Sequence, residues 1–234
     1  MKYILSAFIM VMSISANCQQ VFHDADAEVR KVGSFTSVEV SSAIELQLSQ
    51  GSEDAVAVSA EGKENAGAIK TEVKNGVLKI WQEQTNWFGK NKRMRAYVSA
   101  KSLNGISANG ASQVSVNGEL NCSSLFIRMS GASDFKGDVK AVSLLIELSG
   151  ASDINLTGRT TDLKVRASGA SHFKGYDLMA DNCSIDASGA SDVKLTANKS
   201  ISAEASGASD VYYKGAGKEG KIRSSGASSI SKRG

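Results

Sequence analysis

Four carboxylates of this chain recur in a pattern that suggests a cation ladder. Asp134, Asp153, Asp192 and Asp210 each follow a Ser-Gly-Ala-Ser tetrapeptide, and His172 takes the same place after a further copy. Gln113 and Ser229 hold that place after the first and last copies. Hard oxygen ligands stacked at regular spacing would suit Ca²⁺, the one ion this pattern brings forward. The alternative is structural. Each Asp would cap its own turn and pair with a nearby cation, as Lys136 and Lys194 stand two residues after Asp134 and Asp192. His172 interrupts the series, and the glycine-rich nonapeptide of calcium β-rolls is absent. No cofactor is therefore assigned.

A second group of residues lies between Gln84 and Arg95. Trp87, Phe88, Lys90, Lys92, Arg93 and Arg95 place aromatic rings beside cations. Such a loop could contact a glycan, an anionic lipid head group or a partner protein. The same rings could instead plug one end of the fold. A catalytic reading would use the repeated carboxylates as an acid–base pair, as polysaccharide lyases and hydrolases do. Against it, the chain has no G-x-S-x-G, H-E-x-x-H or phosphate-loop motif, and His23 and His172 lack a partner motif. The repeats are also uniform, whereas an active site breaks a local rule somewhere. No catalytic residue is expected, and a carbohydrate-active enzyme stays as the alternative.

The elements that must carry these residues come from the repeat itself. The tetrapeptide or a close variant occurs seven times, with glycines at Gly110, Gly131, Gly150, Gly169, Gly189, Gly207 and Gly226, spaced 18 to 21 residues apart. Before the copies run alternating segments such as Leu125-x-Ile127-x-Met129 and Leu144-x-Ile146-x-Leu148. After them come short ones, Asp134-Phe135-Lys136 among them. A period of two means strands with one buried face. A unit of about 19 residues with two short strands cannot bury that face alone, but it can when stacked on copies of itself. The predicted architecture is an all-β solenoid with a corner at each tetrapeptide. Phe135, Ile154, Phe173, Val193 and Val211 would form one inward column, and Leu125, Leu144, Leu163, Cys183 and Ile201 another. Cys122 and Cys183 then lie three coils apart, roughly 14 Å at the strand spacing, too far for a disulfide. Regular coils are expected over 105–234. The earlier segments at Ser34–Val40, Ile44–Leu48, Ala55–Val58 and Val77–Ile80 alternate less evenly, and Asn75-Gly76 signals a hairpin.

Composition sets the outer limits. Ser, Ala and Gly make up over a third of the 234 residues, and the net charge of +3 argues against a nucleic-acid binder working through a basic field. Three cysteines exclude a disulfide-stapled mini-protein. Residues 1–18 have the parts of a secretory signal peptide: Lys2, an apolar run from Ile4 to Ile14, then small residues before Cys18. Cleavage there is the main reading, and lipidation of Cys18 is the alternative. Residues 19–28 read as a linker and 29–234 as a single domain, with no later apolar run long enough to cross a membrane. The protein is expected to be exported, to the periplasm, the outer-membrane surface or the medium.

With these features in place, the chain resembles the GIN-domain family of auto-transporter adhesin head domains. The resemblance rests on Gly33-Ser34-Phe35-Thr36-Ser37-Val38-Glu39-Val40, on Val73-Lys74-Asn75-Gly76-Val77-Leu78-Lys79-Ile80 and on the repeated Ser-Gly-Ala-Ser-Asp. It implies a right-handed parallel β-helix, an exported location and no established enzymatic activity. It carries over no functional residue. The expected role is a non-enzymatic binding or structural module of the bacterial envelope, with a glycan or an envelope or cell-surface protein as partner. A periplasmic accessory role and the carbohydrate-active enzyme are the rivals.

Overall fold

The computed structural model describes residues 24, 26–61, 63–83 and 93–233. The leader segment with Cys18, and Trp87, Phe88, Lys90 and Lys92, lie outside the described residues. Alternation of apolar and polar side chains builds sixteen strands and one short 3-10 helix. The first eight strands are β1 (Glu28–Arg30), β2 (Ser37–Val40), β3 (Ile44–Gln50), β4 (Ala55–Ala60), β5 (Ile69–Lys74), β6 (Val77–Gln82), β7 (Met94–Ala100) and β8 (Gly105–Ala108). The repeat region supplies β9 (Gln113–Met129), β10 (Asp134–Leu148), β11 (Asp153–Ala167), β12 (His172–Ala187), β13 (Asp192–Ala205), β14 (Asp210–Lys214), β15 (Lys218–Ser224) and β16 (Ser229–Lys232). Among the described residues no helix is long and apolar enough to cross a membrane.

The coils are β-solenoid coils, and from β9 to β16 every neighbouring pair is parallel. Both expected inward columns form. Val114, Phe135, Ile154, Phe173, Val193, Val211 and Ile230 are successive register partners. So are Leu125, Leu144, Leu163, Cys183 and Ile201. One detail differs from the sequence reading. From β9 to β13 the short strand after the corner and the alternating segment before the next are one continuous bent strand, 15 residues long in β10. The bend falls where two successive side chains, Val142 and Ser143, both face out and shift the phase of alternation.

Each corner is closed by its own tetrapeptide. The seven corner glycines all adopt φ between +73° and +75°, a region open to glycine at little cost. The following Ala donates its N–H to the glycine carbonyl one coil before, at 2.7 Å from Ala170 to Gly150. The last Ser turns inward and is buried in six of the seven corners. Its hydroxyl donates to the carbonyl of the first Ser, at 2.8 Å for Ser133, Ser152 and Ser209 and 3.0 Å for Ser191. These four buried hydroxyls meet their hydrogen-bonding need within their own turn, whereas Ser112 Oγ and Ser171 Oγ have no partner among the described residues.

The first half follows the same cross-section in a different chain order. Strand β2 lies between β6 and β8, parallel to both, and β3 lies between β7 and β9. The coil built from β2 and β3 is therefore second in space although first in sequence. Its corner, Ser42-Ala43, has φ of 68° and 59° without a glycine. Strand β5 pairs antiparallel with β6 across the Asn75-Gly76 turn, β4 pairs antiparallel with β7, and β1 with β4. These antiparallel strands close that end of the stack. At the other end three inward columns turn polar, Ile201 being followed by Glu219, Ala205 by Ser224 and Tyr213 by Lys232, while Val211 and Ala203 are followed by Ile230 and Ile222. A polar outer face on the terminal repeat is what a solenoid needs to stay soluble.

Candidate functional site

The residue after each corner starts the next strand and points outward, so the corners place these residues in register. Gln113, Asp134, Asp153, His172, Asp192, Asp210 and Ser229 are consecutive partners along one surface column. The column does not begin at Gln113. Glu45 pairs with Gln113 and Arg95 with Glu45, so it runs through nine positions. Arg95, grouped by sequence with a loop, belongs to β7 instead, because Met94, Ala96 and Val98 alternate inward. Arg95 Nε donates to Glu45 Oε2 at 3.1 Å. That bond is the first cause holding the guanidinium in its charged form.

The ladder carboxylates are engaged by neighbours. Gln113 Nε2 donates to Asp134 Oδ2 at 3.4 Å. Asp153 Oδ1 has His172 Nδ1 at 3.4 Å and Lys174 Nζ at 3.7 Å. Lys194 Nζ donates to Asp192 Oδ2 at 2.7 Å, which raises the lysine's pKa above its ordinary value. Ser229 and Tyr212 both donate to Asp210. Beside the acids runs a column of Lys136, Asn155, Lys174, Lys194 and Tyr212, and Arg233 stacks on the Tyr212 ring at 4.6 Å from its centroid. Among the described residues no three His, Cys, Asp or Glu side chains group as a metal centre requires. A parallel column sets one of these side chains per coil, about 4.8 Å apart, and five of the nine are carboxylates with cations or amides beside them. This is the arrangement of a zwitterionic stripe.

Arg93 is set apart from the column. It lines an acidic groove of about 330 Å³ with Asp24, Asp26, Glu61 and Arg95. There Tyr97 donates its hydroxyl to Asp24 Oδ2 at 2.7 Å, and burial is the first cause raising the phenol's pKa.

A second charged column escaped the sequence reading. Arg128, Glu147, Arg166, Asp186, Glu204 and Arg223 are register partners on the strand face before the corner. Arg128 Nη2 reaches Glu147 Oε2 at 2.7 Å and Arg166 Nη1 reaches Glu147 Oε1 at 2.9 Å. The Arg128 hydrogen bond is the first cause that holds the Glu147 carboxyl below its ordinary range. The signal was present: each of these residues stands two positions before the first Ser of its corner.

Comparison with known proteins fits this geometry. No curated protein matches the sequence. A structure described as a putative adhesin from Bacteroides fragilis superposes with a TM-score of 0.83 at 21% identity, covering 88% of this chain and 96% of that one. A structure described as a putative lipid binding protein from Parabacteroides distasonis gives 0.68 at 17% identity, covering 90% and 98%. A putative adhesin from the same organism gives 0.65 at 16%, covering 88% and 96%. At these identities the likeness is one of fold. The family model described as "Putative auto-transporter adhesin, head GIN domain" matches residues 34–217, and the chain belongs to that family.

Proposed function

We propose that this protein is an exported, non-enzymatic, adhesin-like binding module of the bacterial cell envelope. Its partner is a glycan or an envelope or cell-surface protein. The observation that carries this reading is the nine-position column from Arg95 to Ser229, with its lysine-rich neighbour. Charges and amides set at one-coil spacing suit a partner that is itself extended or repetitive. Membership of an adhesin-named family supports it. The leader-like residues 1–18 support export. The enzyme alternative has less support, because the described ladder carboxylates are each tied to a neighbouring amide, hydroxyl or cation.

The test is protease accessibility on intact cells, with a periplasmic protein as control, followed by glycan-array and cell-binding assays of the purified domain. Cleavage on intact cells and binding weakened at least tenfold by the double change Asp153→Asn and Lys174→Gln are expected. Cleavage only after the outer membrane is opened would sink the adhesin reading. Release of new reducing ends from a polysaccharide would favour the enzyme.

A further inference from the structure

The mid-coil bend forms a groove on a different part of the coil from the ladder. It is about 430 Å³ in volume, and its lining includes Cys122, Lys140, Val142, Arg159, Met179 and Asp181. Two observations set it apart. The first is apolar exposure. Val142 is 57% exposed and Met179 51%, and they are two of the three large hydrophobic side chains standing in solvent among the described residues. The second is unbalanced charge. Lys140 and Arg159 are register partners on adjacent coils, and like charges directly opposite one another repel. In the charged columns Lys194 is compensated by Asp192 at 2.7 Å, and Arg128 and Arg166 by the Glu147 between them. Among the described residues no carboxylate pairs with Lys140 or Arg159. The one acid in the lining, Asp181, is held by Lys199 at 2.7 Å.

We propose that this groove binds an acyl-chain amphiphile with an anionic head group. The carboxylate or phosphate lies between the Lys140 ammonium and the Arg159 guanidinium, whose planar fork suits either oxyanion. The first methylenes of the chain cover Val142 and Met179, the latter a flexible side chain that adapts to an irregular apolar surface. The ligand supplies the negative charge the two cations lack and removes the exposed apolar surface from water. The site lies six residues further along each coil than Asp134 and Asp153, and it does not rest on the adhesin-like reading.

The experiment titrates the purified domain with dodecyl phosphate below its micellar concentration, followed by amide and methyl NMR shifts. Inorganic phosphate and dodecyl maltoside serve as comparison probes. Saturable binding of dodecyl phosphate is expected, at least tenfold tighter than either comparison. The double change Lys140→Gln and Arg159→Gln should weaken it at least tenfold, and Met179→Ser several-fold. Lys164→Gln, away from the groove, should leave it unchanged. Far-UV circular dichroism confirms that each variant is folded. Cosedimentation with phosphatidylglycerol vesicles, lost in the Lys140/Arg159 variant, would also support the site and assign the head group to a bilayer. Binding of the monomer without the vesicles would assign it to a free amphiphile. Equal affinity for inorganic phosphate, equal affinity for dodecyl maltoside, no saturable binding, or binding indifferent to the Lys140/Arg159 change would each overturn the proposal.

Discussion

Gly169 lies so close over Gly150 that a Cβ added to it would stand 2.5 Å from the Gly150 carbonyl oxygen. That same oxygen accepts the Ala170 N–H at 2.7 Å. Any side chain at Gly169 therefore meets a backbone atom that cannot retreat without breaking a ladder bond. It also meets φ of +75°, which costs an L-residue on its own. Gly169→Ala is expected to destabilise the domain by roughly 2–4 kcal/mol. The control is Gly33→Ala, whose Cβ would touch nothing within 4 Å, with an expected effect of about 0.5 kcal/mol or less. Urea midpoints of the two variants decide it. Equal midpoints would mean the corners do not stack as described.

The Arg128–Glu147–Arg166 column should give the fold an acid dependence. The Glu147 carboxyl is held below its ordinary value of 4.5, first by the Arg128 hydrogen bond. Its contribution is present above pH of about 4.5 and is lost as pH falls through the lower folded-state value. Glu147→Gln should cost about 1 kcal/mol at pH 7, a modest figure because the arginines are half exposed. The gap between wild type and variant should close as the solution is acidified. Thermal melts at pH 7 and pH 3 measure both points, and a gap as wide at pH 3 as at pH 7 would remove the charged column as its cause.

The two described cysteines should differ in reactivity. Cys183 is buried in the leucine column, and burial pushes its thiol up to about 12, with Asp181 adding to the shift. Cys122 is half-buried, and burial raises its thiol too, but it borders the open groove. Iodoacetamide at pH 8 should label Cys122 first and Cys183 only when denaturant opens the coils. Peptide mass spectrometry after timed quenching reads the order. Labelling of Cys183 at the Cys122 rate in the folded protein would contradict its place in the core.

At the C-terminal end, the polar residues in core columns should keep one molecule from stacking on another. The Tyr213 hydroxyl donates to Glu219, and its pKa is raised to about 12, first by burial and then by that bond. Replacing Glu219 and Lys232 together by Leu would extend two apolar columns to the outer edge of the last coil. An exposed apolar strand edge invites pairing. Sedimentation velocity should show concentration-dependent association of the double variant but not of wild type.

Much of this was readable from the chain because the solenoid writes its rules locally. The Ser-Gly-Ala-Ser corner announces a positive φ, and Phe135, Ile154 and Phe173 announce an inward column, without any long-range information. The order of the first coils was not readable. Nothing local in Ser37–Val40 says that it will lie between Val77–Ile80, which comes later, and Gly105–Ala108. Parallel pairing at such separations is decided by the whole stack. The site was half legible for the same reason. The Asp column follows a repeated motif, whereas its continuation to Glu45 and Arg95 depends on that unexpected coil order. The Lys140–Arg159 pair was missed because it does not recur: the next coils place Met179 and Thr196 at that position. Register irregularities between Asn155 and Gly158, and between Gly175 and Met179, blur the periodicity there.

The corner ladder also governs how such a protein can change in size. From Gly131 to Gly226 each corner bonds to the corner one coil before it through an Ala N–H and a Gly carbonyl. A duplicated segment running from one corner to the next would find the same partners on both sides. It would lengthen the rod by one rung while keeping the corner-to-corner bonding pattern. Height is then the dimension in which this architecture drifts most cheaply, and a loss or gain of half a coil is the change it cannot absorb.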